Sequence, residues 1–267
     1  GICVTSEPGL MGSLIVGVVT AKTLALAWKI PFLGVNHLEG HILAPFLSDK
    51  DHSGTKWKPP FLSLAVSGGH SSIYLVKNNF EYRVLGTTKD DAAGEAFDKL
   101  AKALRLGFPG GPLVDQLAKE GDREKYKFPR PLVGQKEFDF SFSGLKTFAF
   151  NLVNKIPANE LKKESPHICA SFQESVVDSL LEPLFRAAKI HKVTLISITG
   201  GVSANSRLRE KAERKCAELK IELSIPPIRY CTDNAAMIGF AGIRRMNNGE
   251  RSEYKLAPSP RSKWTQS

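Results

Sequence analysis

The stretch Asn36-His37-Leu38-Glu39-Gly40-His41 sets two imidazoles four residues apart. On a helix this spacing projects both rings from one face, close enough to share an ion. Within a segment rich in Leu, Ile and Phe it would equally suit two packing residues. Asn36 is a residue type that caps helices, and Pro45 is one that ends or kinks them. The order inside the motif separates two metal chemistries. A zincin-type protease reads H-E-x-x-H, with the Glu directly after the first His as general base. Here Glu39 stands two residues from each His, about 200° around the helix, and faces away from an ion held by both. A third ligand must therefore come from elsewhere. The candidate is Asp233, in Cys231-Thr232-Asp233-Asn234-Ala235-Ala236-Met237-Ile238, after a strand expected at 221–225 and at the start of a helix. An Asp there is also a natural N-cap, and the residues alone leave both roles open. Two His and one carboxylate, with further positions open, suit Fe(II) or Zn(II) that must also bind a substrate.

The elements that would position these groups follow from the pattern. Residues 3–6 read as a strand, Glu7 to Ser13 as a Gly-rich turn, and the chain from there to about Trp28 as a helix. Pro31 to Val35 is a short strand leading into the His helix. A helix N-terminus after glycines can offer N–H groups to phosphate, or can simply connect packed elements. Phe61 to Val66 and Ser71 to Val76 are apolar, β-rich runs joined by Ser67-Gly68-Gly69-His70, which predicts a hairpin. The pattern recurs downstream: a strand from Val193 to Thr199, Gly200-Gly201, then Val202-Ser203-Ala204-Asn205 opening a helix to about Lys220. Glycines serve tight turns and also let the backbone approach phosphate. The repeat predicts an α/β protein with two related lobes closing over a nucleotide. Between the turns lie an amphipathic helix over Asp90 to Leu106, the turn Phe108-Pro109-Gly110-Gly111-Pro112, an irregular basic stretch over 121–148, and a long helix from Pro166 to His191 interrupted near Pro183.

With 267 residues, 42% of them apolar, the chain can bury a sizeable core. A formal net charge of +10 and a pI near 9.4 favour a polyanionic partner, most simply nucleic acid. Cys3, Cys169, Cys216 and Cys231 form no C-x-x-C pair, which suggests a reducing compartment. Met11 to Trp28 comes nearest to a membrane span but is interrupted by Lys22, and no crossing segment is expected.

Eight motifs occur in order: P-G-L-x-G-x-L, N-H-x-E-G-H, V-S-G-G-H, G-E-A-F-D-K, P-G-G-P, F-S-F-S-G-L-K-T, T-G-G-V-S-A-N and C-T-D-N-A-A-M-I. Together they resemble the tRNA N6-adenosine threonylcarbamoyltransferase family, formerly described as glycoproteases. The resemblance implies the two-lobed, actin-like ATPase fold of sugar kinases, Hsp70 and actin. It implies residues 1–80 as part of a first lobe carrying the His helix, and residues 81–267 as a second lobe with the adenylate contacts, its C-terminal helix returning to the first. Strands that complete the first lobe would be expected ahead of Gly1. The implied activity is transfer of threonylcarbamoyl from threonylcarbamoyl-AMP to N6 of the adenosine beside the anticodon in ANN-decoding tRNAs, in the cytoplasm.

Carried over residue by residue, the resemblance makes His37, His41 and Asp233 ligands of one Fe(2+) or Zn(2+). It assigns substrate contacts to Ala65, Val66, Ser67, Gly68, Gly69, Asp98, Gly111 and Asn205, with Asp115 as a further ribose partner. ATP, ADP or AMP would occupy the same site. The implied partners are tRNA, a paralogue of the same fold (TsaB-like) and a small ATPase (TsaE-like), with no membrane. This chain departs from the family pattern at Glu7, where a Gly is usual in the turn. A metalloendopeptidase, or an ATPase subunit of the same fold without transferase activity, are the alternatives; the position of Glu39 argues against the first.

Overall fold

The computed structural model describes residues 1–77 and 81–264. The chain forms two compact units, one built from residues 1–57 and 226–264, the other from Lys58–Ile225.

In the first unit, β1 (Ile2–Glu7) and β2 (Phe32–Asn36) pair in parallel, joined through α1 (Met11–Trp28). The chain turns directly from β2 into α2 (His37–Leu43), and the unit is completed by α8 (Ile228–Cys231) and α9 (Ala235–Asn247). A Cβ on Gly17 of α1 would lie 3.4 Å from Val4, and one on Gly242 of α9 would lie 2.1 Å from the Cys3 sulfur. Adjacent strand residues point to opposite faces, so α1 and α9 sandwich the two strands. Leu14, Val18, Ala21 and Ala25 are the buried stripe of α1, while Ile15, Val16, Val19, Leu26 and Trp28 are exposed. At 18 residues, α1 is long and apolar enough to cross a membrane by length and composition, contrary to the expectation that Lys22 would disqualify it. One cation does not cancel so apolar a run, and Lys22 turns its amine to the Leu256 carbonyl oxygen at 2.6 Å.

The second unit is a five-stranded mixed sheet in the order β5-β4-β3-β6-β7, from β3 (Phe61–Val66), β4 (Ser71–Lys77), β5 (Glu81–Thr87), β6 (Leu195–Thr199) and β7 (Glu222–Ser224). The predicted hairpin is present: β3 and β4 are antiparallel, Val66 opposite Ser71. The helices are α3 (Ala93–Ala103), α4 (Gly110–Ala118), α5 (Ser143–Lys155), α6 (Ala158–His191) and α7 (Ser206–Leu219). Their core centres on Phe97, Phe128 and Phe172, whose rings meet edge to face at 5.5–5.6 Å.

Several expectations are revised. A boundary at 80/81 would divide the ladder in which β4 pairs antiparallel with β5. Both strand–Gly-Gly turns belong to one unit rather than one to each lobe, because β3 and β6 are parallel neighbours, Ala65 beside Thr199. The irregular stretch ends at Phe142, where α5 begins, and α6 runs as one helix with Pro166 and Pro183 inside it. Asp90 lies outside α3; it accepts from the Phe142 and Ser143 N–H groups and so holds the start of α5.

Candidate metal centre and glycine turns

The metal candidates converge within the first unit. Asn36 caps α2, its Oδ1 accepting from the Leu38 N–H at 2.8 Å, and its Nδ2 donates to Glu7 Oε1 at 3.1 Å and Ser262 Oγ at 2.9 Å. The unusual Glu7 is thus buried against the cap of the His helix. His37 and His41 stack edge to face, with their Nε2 atoms 3.1 Å apart. Asp233 Oδ1 lies 3.3 Å from His37 Nε2 and 3.1 Å from His41 Nε2. The alternative role for Asp233, capping α9, is taken by Asn234, whose Oδ1 accepts from the Met237 N–H at 2.9 Å. Gly40 lets α9 approach: a Cβ there would meet Ile238 at 2.9 Å and Met237 at 3.0 Å. Glu39 is buried, its carboxylate 3.6 Å from Arg245. It is turned away from the triad, as the spacing predicted.

These three groups fit an ion. A metal bonded at about 2.0–2.1 Å to each donor separates neighbouring ligand atoms by roughly 2.9–3.4 Å, in octahedral or tetrahedral geometry. The observed separations of 3.1–3.3 Å lie inside that window. The two imidazoles, His37 first, hold the Asp233 carboxyl well below the usual carboxylate range. The site is therefore supplied with an anion where a cation would sit. His41 is buried and Asp233 exposed, so the triad has a protein side and an open side.

In the second unit, the two glycine turns leave adjacent parallel strands at the same end of the sheet. Ser67 Oγ accepts from the His70 N–H at 3.1 Å, closing the first turn, and Gly68 and Gly69 are exposed with open space where a Cβ would be. Gly200, at φ 85°, passes so close to β3 that a Cβ would lie 2.4 Å from the Val66 carbonyl oxygen. The Gly94 N–H at the start of α3 donates to Ser67 O at 3.2 Å. Ala65 and Val66 are buried strand residues, and their backbone ends in this turn.

The other assigned contacts gather at helix starts. Asp98 Oδ1 accepts from the Gly110 N–H at 2.7 Å and so holds the beginning of α4, beside Gly111, which has room for a close neighbour. Asp115 Oδ1 accepts from the Ser206 N–H and Oγ at 3.1 and 2.8 Å, fastening α4 to the start of α7. Asn205 is the N-cap of α7, accepting from the Leu208 N–H at 3.0 Å, and its amide donates to Gln173 at 2.8 Å. Its side chain is thus engaged within the protein. Each of these two aspartates commits one oxygen to a helix N-terminus, and sequence reasoning missed that anchoring. The signal was present as Asp98 preceding a Gly-Gly helix start, but its partner lies 12 residues on.

The chain is thus a mixed α/β protein in which two His and one carboxylate converge at separations that would suit an ion. The model of the family TsaD, tRNA N6-adenosine threonylcarbamoyltransferase, matches residues 1–240. The chain belongs to this family. It is 52% identical to the tRNA N6-adenosine threonylcarbamoyltransferase of Bdellovibrio bacteriovorus over 263 residues, 98% of this chain and 76% of the relative. The enzyme of that name from Thermosipho africanus is 48% identical over 98% of this chain and 77% of its own. Among solved structures, full-length HypF in a phosphate- and nucleotide-bound form superposes at a TM-score of 0.59 with 14% identity, over 87% of this chain and 38% of that one. HypF from T. kodakarensis gives 0.60 with 13% identity, over 91% and 40%. The last two likenesses concern the fold.

Proposed function

We infer that this chain transfers the threonylcarbamoyl group from threonylcarbamoyl-AMP to N6 of the adenosine next to the anticodon of ANN-decoding tRNAs. Family membership along nearly the whole chain carries the reading. The fold is of the two-lobed actin-like ATPase kind, and the enzyme works in the cytoplasm. His37, His41 and Asp233 hold one Fe(2+) or Zn(2+). Bound there, the ion supplies Lewis acidity toward the acyl carbonyl as the adenine amine attacks and AMP leaves.

The chain's own residues do the remaining work. The Ser67-Gly68-Gly69 turn, free of side chains at two positions, brings backbone N–H groups to the phosphate or acyl group. Asp98 and Asp115 use their uncommitted oxygens for ribose hydroxyls, held in place by the helix starts they anchor. Gly111 gives close backbone approach. Asn205 acts through the start of α7, keeping it in register with Gln173. The exposed apolar face of α1, with Val16, Val19 and Trp28, supports docking of a paralogue of the same fold, with a small ATPase completing the assembly. The buried, Arg-paired Glu39 leaves a peptidase without its base.

The test supplies threonylcarbamoyl-AMP and unmodified tRNA, with those partner proteins present, and measures the modified adenosine by nucleoside mass spectrometry. The parent chain should modify its tRNA, and Asp233→Ala should do so at least 100-fold more slowly. Equal modification by both would remove the metal assignment, and no modification by the parent would remove the function.

A further inference from the structure

The outer face of α3 carries two shallow cavities that share a wall. One, of about 500 Å³, is lined by Glu95, Asp98, Lys102, Arg105 and Phe108; the other, of about 610 Å³, by Lys102, Lys146, Thr147 and Phe150; Lys99 belongs to both. Each has an aromatic ring turned outward, Phe108 being 84% exposed and Phe150 58%. Cations outnumber acids on this face, Lys99, Lys102, Arg105 and Lys146 against Glu95 and Asp98. Lys99 and Lys146 share the Asp91 carboxylate, at 2.8 and 3.1 Å, and Lys99 also reaches Glu95 at 2.7 Å. Lys102 and Arg105 are exposed and have no ion-pair partner among the described residues. Among the described residues, no acidic side chain lines the second cavity.

Aromatic rings alternating with cations match single-stranded nucleic acid, whose unstacked bases stack on the rings while the intervening phosphates meet the ammonium groups. A duplex keeps its base faces internal and offers nothing to either ring. The first cavity also contains Asp98, one of the residues given to the adenylate. A strand lying here would reach that residue directly.

We propose that this face, with Phe108 and Phe150 as stacking platforms and Lys102 between them, binds the unpaired anticodon-loop nucleotides of the tRNA substrate. The proposal rests on the transferase reading, since it takes the RNA from there. A strand across the shared wall places one base on each ring, with Lys99, Lys102, Arg105 and Lys146 along its backbone. Lys99 and Lys146 are pre-ordered by Asp91, so little side-chain freedom is lost when they meet phosphate.

The experiment is equilibrium binding of an unmodified tRNA transcript carrying the target adenosine, against a duplex RNA of equal length, over a series of salt concentrations. Phe108→Ala and Phe150→Ala should each weaken transcript binding by about 5- to 150-fold, the range for loss of one base–aromatic stack, without altering the salt slope. Duplex binding should not change. Phe108→Tyr should bind as the parent does, and Lys102→Ala should reduce the slope of log affinity against log salt by about 0.7. Lys189→Ala and Lys192→Ala, exposed cations on another face, serve as charge controls and should leave binding within twofold. Parental affinity in Phe108→Ala, Phe150→Ala and Lys102→Ala together would overturn the proposal and assign the face to a protein partner or to nothing. The two readings separate cleanly, because Asp233→Ala should lose modification while binding the transcript normally. Loss of modification in the parent with these Phe effects intact would condemn the transferase reading alone.

Discussion

His41 turns one ring nitrogen to the triad and leaves the other, Nδ1, buried with no hydrogen-bond partner among the described residues. Burying such a group uncompensated costs about 1–3 kcal/mol, which an ion bonded at Nε2 would offset. A metal held here would depend on how its third candidate ligand, Asp233, is positioned, and that falls to a neighbour. Asn234 accepts from the Met237 N–H and donates to the Thr232 carbonyl oxygen at 2.8 Å, so it grips the chain on both sides of Asp233. Asn234→Ala should lower stability by about 1 kcal/mol, the usual cost of a lost N-cap. It should also weaken metal binding by about 10- to 100-fold, as loss of an orienting group around a metal ligand does. Urea unfolding with and without chelator, and competition with a metal indicator, measure the two effects separately. A stability loss with unchanged metal affinity would show that Asp233 needs no such support.

At the scale of elements, the second unit is tied together by ion pairs between α6 and α7. Glu174, mostly buried, accepts from Arg207 Nε and Nη2 at 2.6 and 3.0 Å and from Lys211 Nζ at 2.5 Å. Burial pushes its carboxyl up, but the hydrogen bonds from Arg207 and Lys211 outweigh this and hold it at about 2. A depressed pKa contributes stability above the unfolded value, about 4.3, and that contribution is lost as pH falls toward 2. Solvent screening reduces the full linkage value to on the order of 2 kcal/mol. Glu174→Gln should therefore be less stable than the parent at pH 7, with the gap closing between pH 4.3 and 2, as followed by denaturant unfolding across pH. A gap independent of pH would mean that packing, not charge, is what Glu174 supplies. Such cross-element pairs also explain what could be read from the chain. The His helix, the hairpin and the strand–Gly-Gly turns were legible because period, spacing and turn residues are local. The start of α5 was not, because Phe140-Ser141-Phe142-Ser143 alternates like a strand, and the helix that opens at Ser143 is held at its start by Asp90, some 50 residues earlier. Nor was the pairing of β3 with β6, which joins segments separated by more than 100 residues and places both Gly-Gly turns in one unit.

For the whole molecule, an excess of ten positive charges raises the question of whether RNA is held by the overall field or by one face. Much of the cationic surface is already neutralised, as in Lys125 with Glu164, Arg245 with Glu250 and Arg229 with Asp49. On single strands each phosphate contact contributes about 0.7 to the dependence of log affinity on log salt. Two contacts, from the unpaired Lys102 and Arg105, give a slope of about −1.4, Lys99 and Lys146 being compensated by Asp91, and raising salt from about 50 to 200 mM should weaken tRNA binding about 7-fold. If all ten excess charges acted, the slope would approach about −7 and the same change would cost more than 10,000-fold. The salt titration therefore discriminates between the two: a slope of about −1.4 that becomes shallower in Lys102→Ala assigns binding to the α3 face. A steeper slope indifferent to that substitution assigns it to the diffuse charge of the chain, and the specificity for the anticodon loop would then have to come from the turns and helix starts proposed to meet the adenylate.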